Sequence, residues 1–255
     1  MKRTKIEEEE NGDNDYRYEL TDEKLRNSLL ILSPNKVVTR LAGRLPKISM
    51  LVVEYRSVGN HHHGQTAAYG PVIEMLQSKA WRTTLVTLKL YSGSDDTREE
   101  RNLFVAIRSL SKLQHLTLDI IPDEIDPNAA FPFPPTLREL NINYSERNVH
   151  SLVNNLGLNN AAANSSQVTR IGLDGTWWNN IDVFLQLSDS MASRIVQILV
   201  ECESYNGLDQ LTTKYVNLTS LELFTKFNID YSFIPELASC LVSLRQLTSL
   251  VLHLD

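Results

Sequence analysis

The chain has 255 residues, of which 42% are hydrophobic, and this is enough apolar material for one elongated domain with a sizeable core. Its formal net charge is −6 and no basic stripe runs along it, which argues against nucleic-acid binding. The sequence has neither an apolar run long enough for a membrane helix nor a signal-peptide core. Its two cysteines cannot build a disulfide framework, so we expect a cytoplasmic or nuclear protein that binds no membrane.

The N-terminal stretch, residues 1–19, is rich in acidic residues that are interspersed with Asn and Gly. Such a segment has little apolar surface to bury, and its charges repel one another. We therefore predict an acidic, disordered tail here.

Residues 20–45 have the pattern of two short amphipathic helices that meet at a corner. Thr21 is a suitable N-cap, and Leu25, Leu29 and Leu32 recur with helical spacing on one face. Ser33-Pro34 ends that helix, and a second helix would carry Val37 and Val38. The pattern resembles the F-box motif, and the positions in register with that motif include Leu20, Leu25, Leu29, Leu32, Pro34, Val37 and Val38.

The F-box resemblance implies that this segment docks the adaptor of a cullin–RING ubiquitin ligase. Thr21 stands where the motif usually has Pro, and the motif's closing segment is missing. The alternative is an N-terminal helical cap that covers the exposed core of the first repeat, as repeat proteins require.

From residue 46 to residue 255, one hydrophobic phrase, apolar-x-x-apolar-x-apolar, recurs eight times at intervals of 23 to 37 residues. Its eight occurrences begin at Ile48, Leu85, Leu113, Leu137, Val168, Ile195, Leu218 and Leu247. The last two apolar positions alternate with period two, which predicts a short strand with one buried face. Segments with helical spacing follow at residues 68–81, 98–113, 147–158 and 180–191, whereas the proline-rich residues 121–135 predict an extended crossing.

This pattern resembles the leucine-rich-repeat family over about residues 46–255. The resemblance implies an α/β solenoid, a horseshoe with a parallel sheet on its concave side and helices on its convex side. The Asn that many members carry three residues after the phrase is absent here, and the repeat lengths are unequal, so we expect about eight irregular units. An F-box before such repeats implies a substrate receptor of a cullin–RING ubiquitin ligase. The alternative is a non-ligase interaction scaffold with residues 20–45 as its cap.

The residue after each phrase is expected to face the concave side, and together these residues form what we call the outer column. Its members are Glu54, Tyr91, Asp119, Asn143, Asp174, Glu201, Phe224 and His253. Four of the eight are acidic and two are aromatic, so we expect the column, apart from His253, to bind a partner protein with a basic segment, with Tyr91 and Phe224 as anchors. A merely soluble surface is the alternative.

Motifs of catalysis and of nucleotide binding are missing, so we expect no enzyme activity and no cofactor. His61, His62 and His63 lie in the longest interval between phrases, without a spaced set of further metal ligands. We interpret them as an insertion loop and predict no metal site.

The chain ends three residues after Leu252, the last apolar residue of the eighth phrase, without an evident C-terminal cap. Repeat proteins need such a cap to hide the last layer of their core. We expect a truncated or incomplete member, with poor solubility or self-association through this edge.

Overall fold

The structure is a computed structural model that describes residues 28–32, 48–54, 69–91, 100–119, 133–143, 158, 166–174, 181–202, 207–225 and 233–254. Its described part contains a single sheet of nine strands in sequence order, and every neighbouring pair is parallel. The strands are β1 (Ser28–Leu32), β2 (Met50–Glu54), β3 (Thr87–Tyr91), β4 (His115–Leu118), β5 (Glu139–Asn143), β6 (Arg170–Asp174), β7 (Gln197–Cys202), β8 (Ser220–Thr225) and β9 (Ser249–Leu254). The predicted α/β class and the predicted parallel sheet are thereby confirmed.

Each of the eight hydrophobic phrases supplies one strand, from β2 to β9, and the phrases align in register. Leu51 is paired with Leu88 on the next strand, and Val53 is paired with Leu90. The same two positions continue in register to Leu250 and Leu252 on β9. In β2 to β8 they are at most 2% exposed, so one face of the sheet supports a continuous core.

A repeated hydrogen-bonding pattern fixes this register. The carbonyl before a strand accepts two N–H groups from the start of the next strand, as Ser49 does from Val86 and Thr87 at 2.8 and 2.9 Å. The pattern occurs seven times, at the carbonyls of Ser49, Val86, Gln114, Arg138, Thr169, Val196 and Thr219. Because a slip of one residue would move every apolar side chain to the other face, these bonds and the core specify the same pairing.

Seven helices connect the strands within the described residues. They are α1 (Gly70–Leu76), α2 (Lys79–Thr84), α3 (Glu100–Arg108), α4 (Ile181–Gln186), α5 (Asp189–Ala192), α6 (Leu208–Lys214) and α7 (Phe233–Leu241). Contacts join α1 to α3, α4 to α6 and α6 to α7, so successive helices pack on one another as the strands do. Their apolar faces, for example Val72 and Leu76 of α1, complete the core.

Two of the predicted helices are divided by a serine with extended backbone. Residues 68–81 contain α1 and the start of α2, separated at Ser78, whose ψ is 144°. Residues 180–191 contain α4 and the start of α5, separated at Ser188, whose hydroxyl accepts a hydrogen bond from the Met191 N–H at 3.3 Å. Serine favours N-cap positions because its side chain can satisfy a free N–H of the first helical turn. Ser188 does so, whereas the Ser78 side chain makes no capping hydrogen bond.

Helices α6 and α7 are additions to the prediction, although Leu208, Leu211 and Tyr215 recur with helical spacing. Gly207 precedes α6 with φ at 86°, a left-handed conformation that side chains rarely adopt. The Tyr215 hydroxyl, which is buried, donates a hydrogen bond to the Phe184 carbonyl at 2.7 Å. This bond ties the end of α6 to α4, and burial raises the pKa of the Tyr215 phenol above its ordinary range.

Strand β1 corrects the helix that the sequence predicts through Leu29 and Leu32. Residues 29–32 are four consecutive apolar residues, a pattern that fits a strand as well as a buried helix. Leu29 and Ile31 are paired with Leu51 and Val53, and therefore occupy the last two positions of a further phrase. The other predicted adaptor-docking residues, Leu20, Leu25, Pro34, Val37 and Val38, lie outside the described residues, as do the predicted tail, the histidine loop and most of the proline-rich crossing.

Candidate functional site

The face of the sheet opposite the core, here called the outer face, carries the side chains that alternate with the core positions. The outer column runs along its edge: Glu54 is paired with Tyr91, Asn143 with Asp174, and Glu201 with Phe224, which is paired in turn with His253. Tyr91, Asp119, Asn143 and Phe224 are half-buried. The predicted alignment of these residues is therefore correct, and parallel strands about 4.8 Å apart spread it over about 30 Å.

Glu201 differs from the expectation for this column, because its side chain is buried and only 5% exposed. Its neighbour in register on β8 is Phe224, a much larger side chain. Sequence alternation predicts the face on which a residue lies but not how far its neighbours shield it from solvent. Glu201 therefore cannot serve as an exposed acidic contact. Asp119, the other acidic residue of the column whose exposure the structure describes, is half-buried.

A polar network crosses β4, β5 and β6 on the same face, centred on the Glu139 carboxylate. His115 Nδ1 lies 2.9 Å from Glu139 Oε2, and Asn141 Nδ2 donates to Glu139 Oε1 at 2.9 Å. The Arg170 guanidinium is 3.8 Å from Glu139 Oε2 and is 53% exposed. Glu139 is thus held from both neighbouring strands and from its own strand, and Arg170 presents the exposed part of the network.

Hydrogen bonding from His115 is the main reason why the pKa of Glu139 lies below its ordinary value. Partial burial works in the opposite direction, while Asn141 and the charge of Arg170 lower the pKa further. The carboxylate is consequently ionised at neutral pH and fixed in position.

Gly172 makes room for this network. It is paired with Asn141, and a Cβ atom at Gly172 would lie within 2.3 Å of Asn141 Oδ1. The Asn141 amide therefore lies over the β6 backbone, where any larger residue would displace it. These residues are not predicted from the sequence because they lie in the two columns beside the outer column. The register of neighbouring phrases is the signal that aligns them.

A second group of interacting side chains lies on β8 and β9. The rings of Phe224 and His253 are stacked, with centroids 3.9 Å apart and planes at 2° to each other. His253 Nε2 lies 2.9 Å from Glu222 Oε1, so the imidazole is held both by the ring and by the carboxylate. His253 is partly exposed, and Val251 beside it is 39% exposed.

The outer face therefore offers a charged group near its centre and an aromatic and apolar group towards β9, all on strands. The part of the chain that the structure describes contains no cluster of three or more metal-ligating residues. No described helix is long and apolar enough to cross a membrane. No protein-family model matches the sequence, and no curated protein matches it either.

Proposed function

We propose that this chain is a leucine-rich-repeat solenoid that recognises another protein through its outer face. One observation carries the proposal: eight apolar phrases occupy the same register positions of one parallel sheet, so that their core positions share one face and the alternating positions share the other. A unit of one strand and one return segment cannot bury its apolar face alone, and stacking such units produces an extended surface suited to binding.

The network around Glu139 and the Phe224–His253 pair supply the contacts that a binding surface needs. Their side chains are held by hydrogen bonds and ring stacking on strands, so little conformational entropy is lost when a partner binds. Arginine and aromatic residues are also typical of the few positions that dominate binding energy. Arg170 and Phe224 are therefore the two residues on which we expect partner binding to depend most.

The chemistry of the partner follows from the exposed groups. Arg170 suits a carboxylate of the partner, because its guanidinium can form two parallel hydrogen bonds. The predicted basic segment of the partner would lie along the outer column, near Asp119. Because Glu201 is buried, the contact between this basic segment and the outer column would depend on fewer acidic groups than the sequence predicts.

The test compares two charge reversals in the full chain. Arg170→Glu changes the outer face, and Arg108→Glu makes the same change on α3, away from the sheet. Proteins captured from cell extract by the wild type and by both variants are identified and quantified by mass spectrometry. We expect a set of partners that is lost with Arg170→Glu and retained with Arg108→Glu. Equal retention by both variants, with thermal stability unchanged, would exclude the outer face as the binding surface.

The ubiquitin-ligase proposal depends on residues 20–45 and is the second candidate. An F-box docks through helices, and strand β1 at Ser28–Leu32 favours the alternative in which this segment covers the first repeat. Co-purification of the cullin-ligase adaptor with the full chain and with Val38→Asp separates the two. Capture by the wild type that is lost with Val38→Asp would support the ligase receptor. Absence of capture would leave the interaction scaffold.

A further inference from the structure

Four basic side chains lie along the edge of the sheet where its strands begin, one in each of four successive units. They stand in the segments that lead into β3, β4 and β5 and at the first position of β6, and all four are exposed. We call them the basic turn cluster, and its members are Arg82, Lys112, Arg138 and Arg170. Because a whole unit separates each member from the next along the chain, the cluster is not visible as a basic run in the sequence.

Backbone hydrogen bonds between the units bring these residues together. The Arg82 carbonyl accepts two hydrogen bonds from the residue before Lys112, both at 2.9 Å. The carbonyl that precedes β4 accepts the Arg138 N–H at 2.9 Å, and the Arg138 carbonyl accepts the Arg170 N–H at 3.1 Å. Since parallel strands lie about 4.8 Å apart, the cluster spreads four positive charges over about 15 Å.

Neighbouring acidic residues leave most of this charge without a counter-ion. Within the part of the chain that the structure describes, Arg82, Lys112 and Arg138 form no ion pair, and Arg170 is 3.8 Å from Glu139. The four segments before and at the strand starts are residues 82–87, 109–115, 134–139 and 166–170, and Glu139 is their one acidic residue. Its carboxylate already bonds two other side chains, so the cluster remains available to an anion from outside.

Helix dipoles explain only one member of the cluster. The negative end of a helix favours a basic residue in its last turn, and Arg82 occupies that position in α2. Lys112 lies beyond the last turn of α3, and no helix in the described residues leads into β5 or β6, where Arg138 and Arg170 lie. The stabilisation of helix ends therefore does not account for Lys112, Arg138 and Arg170.

We propose that the basic turn cluster binds an acidic segment of the partner protein in extended conformation. This inference rests on the proposed function, because Arg170 belongs both to the cluster and to the outer face. An extended chain rises about 3.3 Å per residue, so about five residues span the four strands. The arginines of the cluster suit carboxylates in particular, since a guanidinium forms two parallel hydrogen bonds with one carboxylate.

A nucleic acid fits this cluster less well than an acidic protein segment does. The four segments contain no Phe, Tyr or Trp, whereas proteins that bind single strands stack the bases on such side chains. Duplex DNA carries one charge per about 1.7 Å, far denser than one cation per strand at about 4.8 Å. The net charge of −6 also repels a long polyanion.

Fluorescence anisotropy at low salt tests the proposal with a fluorescein-labelled peptide of about six glutamates, long enough to span four strands. The full-length wild type should bind this peptide and should not bind a glutamine peptide of equal length, and added salt should weaken the binding. Lys112→Glu and Arg138→Glu should each weaken it about tenfold, because an attractive charge becomes repulsive. Arg245→Glu is the matched control: it makes the same charge change at an exposed residue before β9, three strands from β6, and should bind as the wild type does.

Three results would overturn the proposal. The glutamate peptide fails to bind the wild type, or Arg245→Glu weakens binding as much as Arg138→Glu does. In the third, a single-stranded RNA of similar length binds more tightly than the peptide and is lost with Arg138→Glu, so that the cluster serves a nucleic acid. Circular dichroism of each variant confirms that loss of binding is not loss of folding.

Capture of partners from cell extract separates this inference from the proposed function. The partners that Arg170→Glu removes should also be removed by Arg138→Glu and retained by Arg245→Glu. If Arg170→Glu removes them and Arg138→Glu retains them, the outer face recognises its partner without the cluster, and only the acidic-segment proposal is wrong. If both variants retain every partner, the proposed function is wrong as well.

Discussion

Gly172→Ala provides a quantitative test of the network on the outer face. The new methyl group would lie within 2.3 Å of Asn141 Oδ1, while its distance to Leu199 Cβ would be an ordinary 3.6 Å. Only the Asn141 amide must therefore move, and its movement breaks the 2.9 Å hydrogen bond to Glu139. A hydrogen bond to a charged group contributes about 1.5–3 kcal/mol, and partial exposure places this bond at the lower end. Alanine recovers about 0.5–1 kcal/mol relative to glycine in a strand, so the expected net loss is about 1 kcal/mol.

A double-mutant cycle separates this mechanism from a general loss of packing. In an Asn141→Ala background the amide is absent, and Gly172→Ala should then stabilise the protein by about 0.5 kcal/mol. Urea unfolding of the four proteins, followed by circular dichroism, gives the coupling free energy. In the single variant Gly172→Ala, the pKa of Glu139 should also rise towards its ordinary value, because one of the bonds that lowers it is lost. An equal cost of Gly172→Ala in both backgrounds would refute the reasoning.

Three further results are expected from the contacts of Tyr215 and Glu139. Tyr215→Phe should lower the free energy of unfolding by about 1 kcal/mol, since the Phe184 carbonyl loses its 2.7 Å hydrogen bond, and urea unfolding measures this. Because burial raises the pKa of Tyr215, the wild type should lose stability as the pH rises above about 10, where the phenol ionises in the unfolded chain, and Tyr215→Phe should lose less. The lowered pKa of Glu139 has the opposite effect: the carboxylate stabilises the fold above about pH 4.3, and this stability is lost as the pH falls through the folded-state pKa. The melting temperature of Glu139→Gln should therefore fall less steeply with decreasing pH than that of the wild type.

The hydrophobic periodicity predicted the strands, in which side chains alternate between the core face and the outer face. Each of the eight phrases forms a strand, because three apolar residues at this fixed spacing fit few structures other than a strand with one buried face. Strand β1 was not predicted because Arg26 stands three residues before Leu29 in the sequence, where the phrase requires an apolar residue, so only Leu29 and Ile31 match. The helix was predicted from the spacing of its leucines, but residues 29–32 are all apolar, and in such a run spacing cannot distinguish a helix from a strand.

The candidate site was harder to predict because it depends on pairs of residues from different strands. Periodicity places Glu139 on the outer face, but its partners His115 and Arg170 become visible only when three strands are aligned. Shielding has the same origin: Glu201 is buried although its position alternates correctly. A sequence gives the direction of each side chain, whereas burial and hydrogen bonding are properties of neighbouring strands.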